Sequence, residues 1–104
     1  FIATMNPLAD APEPGEGPSK ESRENGNYDV LFCADLEDAT IKVSVSGDMD
    51  PGYGSTSIMI AESAVCLVKD CKDLAGGFYT PAASMGKKLI ERLENNAGLI
   101  FKVE

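Results

Sequence analysis

At 104 residues the chain has room for one domain and not two. Seventeen acidic residues against nine basic ones leave a net charge of −8, which argues against nucleic acid or an anionic membrane as partner. There is no histidine, so Ser-His and Cys-His nucleophilic pairs and the usual zinc sites fall away together, and no metal site is expected.

Three cysteines, Cys33, Cys66 and Cys71, are an odd number and suggest no disulfide framework. Cys66 and Cys71 are expected about 140° apart on one helix at 3.6 residues per turn, too far around to bridge. Free, buried thiols imply a reducing, cytoplasmic setting. The chain opens at Phe1 with no signal-peptide pattern, and no apolar run approaches the roughly 20 residues a membrane span needs. We read it as a piece of a longer polypeptide.

Residues 6–18 hold four of the six prolines together with Gly15 and Gly17, a segment expected to be ordered only if something covers it. Ser19 to Asn25 can make two helical turns, with Pro18 near the first position and Gly26 as the stop. Residues 1–26 therefore read as a proline- and glycine-rich linker with a short helix, ahead of a domain over 27–104.

From Tyr28 to Ala34 the chain is compact, apolar and partly aromatic, which predicts a strand with both faces largely covered. Glu37-Asp38-Ala39 is the turn. Thr40 to Ser46 then alternates, with Ile41, Val43 and Val45 on one face and Lys42, Ser44 and Ser46 on the other. That predicts a half-buried partner in an antiparallel hairpin.

The run Asp50-Pro51-Gly52-Tyr53-Gly54-Ser55-Thr56-Ser57-Ile58-Met59 joins a Pro-Gly turn to a hydroxyl-rich helix start. It serves either to hold an anion on free backbone N–H groups or simply to cap the helix. The Gly52-to-Ser57 stretch is no dinucleotide fingerprint, because the connection is too long and no acid-ended parallel strand follows. Asp48 and Asp50 lack calcium-loop spacing.

The helix predicted over 55–70 is apolar nearly all round, from Ile58, Met59, Ile60 and Ala61 through Ala64 to Val68. So small a domain cannot cover it alone, which implies a partner surface, with Met59, Ala64 and Leu67 as interface candidates. Glu62, the only charge between Asp50 and Lys69, needs a partner or a raised pKa. Leu74 to Gly77 breaks the helix, and Phe78-Tyr79 can add a short extended stretch. Thr80-Pro81 starts a second helix with Met85, Leu89 and Leu93 on its inner stripe. Asn95 to Gly98 ends it, and Leu99, Phe101 and Val103 alternate along a last strand. The fold class is α+β: a small mixed or antiparallel sheet, hairpin plus C-terminal strand, packed against two main helices.

Several separated motifs carry a likeness. They are Pro14-Gly15-Glu16-Gly17-Pro18-Ser19 with Arg23, Ser46-Gly47, and Asp50-Pro51-Gly52-Tyr53 with Thr56, Met59 and Glu62-Ser63-Ala64. Gly76 to Ala82 and Leu89-Ile90-Glu91-Arg92-Leu93 complete the set. In this order they resemble the C-terminal portion of saccharopine-dehydrogenase-like oxidoreductases, the group that includes trans-acting enoyl reductases. The resemblance implies an N-terminal Rossmann domain elsewhere in the parent that binds NAD(P), with no cofactor held by this portion. It implies a domain that shapes the substrate side and the dimer contact and is inactive alone. No catalytic residue carries over. The 50–57 loop is expected to face the nicotinamide, with Tyr53, Thr56, Ser55 and Asp50 as substrate-binding candidates. The alternative is a structural oligomerisation module without substrate contacts.

Overall fold

The computed structural model describes residue 13 and residues 15–104. The prolines expected to lie in an extended segment at positions 7, 12 and 14 fall outside the described residues. Helix α1 (Lys20–Glu24) is capped by Ser19, whose hydroxyl accepts from Ser22 N at 3.1 Å. Strands β1 (Tyr28–Asp35) and β2 (Thr40–Gly47) form the expected antiparallel hairpin, with Tyr28 opposite Gly47 and Asp35 opposite Thr40. Leu36 N donates to Ala39 O at 2.8 Å to close the turn. Helix α2 (Gly54–Lys69) and helix α3 (Pro81–Asn96) follow, and β3 (Leu99–Val103) lies antiparallel along the other side of β2. The sheet order is β1-β2-β3, so among the described residues both β1 and β3 are edges. The fold is α+β, with an antiparallel three-stranded sheet.

The register collects one apolar face: Val30, Phe32 and Ala34 on β1, Ile41, Val43 and Val45 on β2, and Leu99, Phe101 and Val103 on β3. Packing covers only part of it. Helix α3 lies on β3, and α2 lies on α3. Leu93, Ala97 and Leu99 form a buried cluster there, flanked by Val45, Ile58, Met59, Leu89 and Phe101. A second small cluster joins Cys66, Cys71 and Met85, and Leu89 touches both.

Four expectations are corrected. Strand β1 is not covered on both faces: beyond Tyr28 it is exposed, with Phe32 at 57 %, because the helices sit over β3 and leave the hairpin overhanging. Cys66 and Cys71 do not share a helix. Helix α2 ends at Lys69, and Cys71 N folds back to donate to Cys66 O at 3.1 Å, so the two thiols, both free, meet in the core. The helix expected after Thr80 is kinked at Gly86 (φ 47, ψ −129), a backbone geometry open to glycine. Its inner stripe nevertheless stands as expected, with Met85 and Leu93 buried. Phe78-Tyr79 forms no strand.

Candidate functional site

The 50–57 run is built around its own carboxylate. Asp50 accepts from Tyr53 N at 2.6 Å and Gly54 N at 3.0 Å. The N–H of Gly54 and then that of Tyr53 hold its carboxyl below the ordinary range, and the Arg23 guanidinium adds to this. The N-cap residue is Tyr53, and none of the hydroxyls caps. They turn inward or backward: Thr56 Oγ1 donates to Pro51 O at 2.6 Å, and Ser57 Oγ to Gly54 O at 2.9 Å. Ser55 is 1 % exposed and shares a 2.8 Å hydrogen bond with the Tyr28 hydroxyl. The Tyr28 ring lies over Gly47, where a Cβ would overlap it. Of the two readings of this helix start, capping describes what is seen: the chain's own Asp50 occupies the position an external anion would take.

The loop is tied to the segment before β1. Asp50 N donates to Arg23 O at 3.0 Å. Two glycines permit this approach, since a Cβ on Gly26 would lie 2.5 Å from Asp50 N and one on Gly54 2.8 Å from Arg23 O. The consequence is a corner that brings together two motifs about 30 residues apart in sequence. Gly17 (φ +66) passes under the Tyr53 ring, 3.7 Å from where its Cβ would be.

Tyr53, 60 % exposed, stands between two hollows. One, of about 260 Å³, is lined by Gly15, Glu16, Gly17, Pro18, Arg23 and Tyr53. The other, of about 190 Å³, is bounded by Lys20, Arg23, Met49, Tyr53 and Ile58 among others. Arg23 therefore lines both, and sequence reasoning assigned it no role. Its spacing from Tyr53 carries no local signal, and only the fold makes them neighbours. Among the four substrate-binding candidates, Tyr53 lines both hollows, and its hydroxyl has no hydrogen-bond partner among the described residues. Asp50, Ser55 and Thr56 hold the loop's shape.

The interface candidates divide. Met59 turns inward against the Leu93–Leu99 cluster, while Ala64 and Leu67 face outward. With Ile60 and Val68 they make an exposed apolar stripe on α2. Glu62 has the partner its burial requires: Arg92 Nε at 2.9 Å and Asn96 Nδ2 at 3.2 Å, while Arg92 Nη1 reaches Asp70 at 3.0 Å. Arg92, Asp70 and Asn96 line a hollow of about 520 Å³ together with Lys88, Glu91 and Asn95, and the Arg92 guanidinium in it is already paired with Glu62 and Asp70. A cavity of about 420 Å³ lies on the sheet's apolar face, between Val30, Phe32, Val45 and Phe101 and the helix residues Met59 and Leu93. Among the described residues, no group of three or more His, Cys, Asp or Glu is placed to hold a metal, and no helix is long and apolar enough to cross a membrane. The described sheet contains no parallel pair, hence no βαβ unit.

The chain is similar to mycobacterial proteins that bear the name trans-acting enoyl reductase. One from Mycobacterium tuberculosis is 39 % identical over 85 residues, covering 79 % of this chain and 20 % of the relative. One from Mycobacterium bovis is 35 % identical over 93 residues, covering 86 % and 22 %. One from Mycobacterium ulcerans is 36 % identical over 85 residues, covering 79 % and 20 %. The chain thus spans about a fifth of the length of these curated relatives. No family model matches it, and no solved structure does.

Proposed function

We propose that this chain is the C-terminal, substrate-side domain of an enoyl-reductase-type oxidoreductase of the saccharopine-dehydrogenase-like kind. In this reading it is inactive alone, and NAD(P) is held by a Rossmann domain elsewhere in the same polypeptide. The observation that carries the reading is the 35–39 % identity over most of this chain to proteins named trans-acting enoyl reductase. The corner that joins Arg23 to Tyr53 supplies the chemistry. An enoyl group that accepts hydride develops negative charge on the carbonyl oxygen conjugated to it. A tyrosine hydroxyl beside a guanidinium is a suitable donor for such an oxygen. Asp50, Ser55 and Thr56 position that hydroxyl through the loop's internal hydrogen bonds.

The test uses a chimera in which this chain replaces the matching stretch of the Mycobacterium tuberculosis relative, with reduced nicotinamide consumption followed on an enoyl thioester. Loss of one donated hydrogen bond costs about 1.4 kcal/mol, so Tyr53→Phe is expected to lower kcat/KM about tenfold with folding unchanged. Unaltered kcat and KM would remove Tyr53 from the site. The second reading, an association module without substrate contacts, draws on the exposed stripe Ile60, Leu67 and Val68. It predicts that Leu67→Lys changes oligomeric state, while Tyr53→Phe leaves turnover untouched.

A further inference from the structure

Helix α2 ends at Lys69, and the chain just beyond it folds back. Cys66 O accepts from Asp70 N at 2.9 Å and from Cys71 N at 3.1 Å. The second of these bonds limits how far apart the two cysteines stand. With standard bond lengths, a Cα–C=O···N–Cα path holding that contact spans at most about 7 Å, and the bends at O and N shorten it. Disulfide-bonded cysteines have Cα atoms about 4.4–6.8 Å apart, so the pair lies within bridging reach. The side chains converge as well, both belonging to one buried cluster with Met85. Burial, and next the Cys71 thiol against it, push the Cys66 thiol up. The two differ in access. Cys66 is 0 % exposed, whereas Cys71, at 7 %, lines an open hollow of about 420 Å³ with Leu74, Met85, Gly86 and Lys87 among others.

We propose that Cys66 and Cys71 form a peroxide-responsive dithiol, in which Cys71 is oxidised first and Cys66 closes a reversible disulfide onto it. Hydrogen peroxide, little larger than water, reaches Cys71 through the hollow. The Cys71 sulfur attacks one peroxide oxygen, the O–O bond breaks, and Cys71 keeps that oxygen as a sulfenic acid. The other oxygen leaves with the thiol proton as water. The Cys66 sulfur then attacks the Cys71 sulfur, the S–O bond breaks, and the departing hydroxyl takes the Cys66 proton as a second water. The two thiols together lose two electrons, and one peroxide is reduced to two waters. Cys66 is not the first to react, because solvent does not reach it. The bridge spans Asp70, whose carbonyl accepts from Lys88 Nζ at 2.5 Å and whose carboxylate accepts from Arg92 Nη1 at 3.0 Å. Oxidation therefore staples the turn through which the end of α2 grips α3, and reduction releases it. The proposal goes beyond the enoyl reductase reading and does not rest on it.

The test is peptide mapping of the whole folded chain, treated with hydrogen peroxide until the product is constant and then alkylated at its free thiols under denaturing conditions. Trypsin cuts after Lys42, Lys69 and Lys72, which places Cys66 in residues 43–69 and Cys71 in residues 70–72. The expected product joins these two peptides, weighs two hydrogens less than their sum, separates with dithiothreitol and leaves Cys33 alkylated. In Cys66→Ser, dimedone traps Cys71 as its sulfenic acid, whereas in Cys71→Ser it leaves Cys66 unlabelled. By the loop-entropy relation, closing the six residues from Cys66 to Cys71 favours the folded state on the order of fortyfold. The urea midpoint accordingly rises on oxidation and returns on reduction. Alkylated Cys66 and Cys71 after peroxide, a bridge to Cys33, or Cys71 carried on to its sulfinic acid beside a free Cys66 overturns the proposal. Dimedone on Cys66 in Cys71→Ser overturns the order of oxidation, and a midpoint that falls on oxidation overturns the staple.

Discussion

Replacing Arg92 with alanine tests what locks α2 to α3 behind the candidate site. Arg92 bridges two carboxylates on opposite sides: Glu62 at 2.9 Å and Asp70 at 3.0 Å. The three side chains are 23 %, 19 % and 34 % exposed, which places the cluster between two known limits. Exposed pairs are worth roughly 0.2–1 kcal/mol, whereas removing one partner of a buried pair costs about 3–5 kcal/mol. Partial burial, discounted for screening, puts Arg92→Ala at about 2 kcal/mol. The loss comes from stranding two carboxylates near each other, with Asn96 the one side-chain donor left to Glu62 among the described residues. With a urea slope of roughly 1–3 kcal/mol/M for a small domain, the midpoint should fall by about 1 M with the slope unchanged. The double variant with Glu62→Gln should fall by less than the sum of the two single effects, since both act on one network. A shift below about 0.3 M, or strict additivity, would refute the view that this cluster joins the helices.

Two further predictions concern groups near the site and the core. The Asp50 carboxyl is held below its ordinary range by the N–H groups of Gly54 and Tyr53, so its contribution is full above the unfolded value, roughly pH 4. That contribution is lost as pH falls through the lower folded value. Urea midpoints measured from pH 6 down to pH 2.5 should therefore drop on the acid side, and Asp50→Asn should flatten that limb. An identical acid limb in the variant would show that the carboxylate is not the group responsible. Burial, with the Cys71 thiol against it, pushes the Cys66 thiol up and keeps it protonated, while Cys33 is exposed. Ellman's reagent should accordingly label one thiol per chain rapidly and the other two only after denaturation. Rapid reaction of all three would contradict the packing of Cys66 and Cys71.

Local patterns carried most of the fold because each reports on near neighbours. The alternation of Ile41, Val43 and Val45 announced β2, and Thr80-Pro81 announced α3. The apolar run after Gly54 announced α2. The same logic misjudged β1: an apolar run reports that a strand should be covered, not that its own chain supplies the cover. It also misjudged the hydroxyls of 55–57, whose chemistry suits a cap. The Asp50 carboxylate, brought round by the Pro-Gly turn, takes the Tyr53 and Gly54 N–H groups in charge-assisted bonds, while the hydroxyls bond Tyr28, Pro51 O and Gly54 O instead.

The order of secondary elements, the acidic surface and the lack of imidazole chemistry follow from residue types and their periods alone, because propensity and charge need no knowledge of distant partners. The meeting of Arg23 with Tyr53, the pairing of Glu62 with Arg92, the contact of Cys66 with Cys71 and the bare outer edge of β1 were decided only by the tertiary structure. Each depends on where the backbone closes across long stretches of sequence, and no local period encodes that closure.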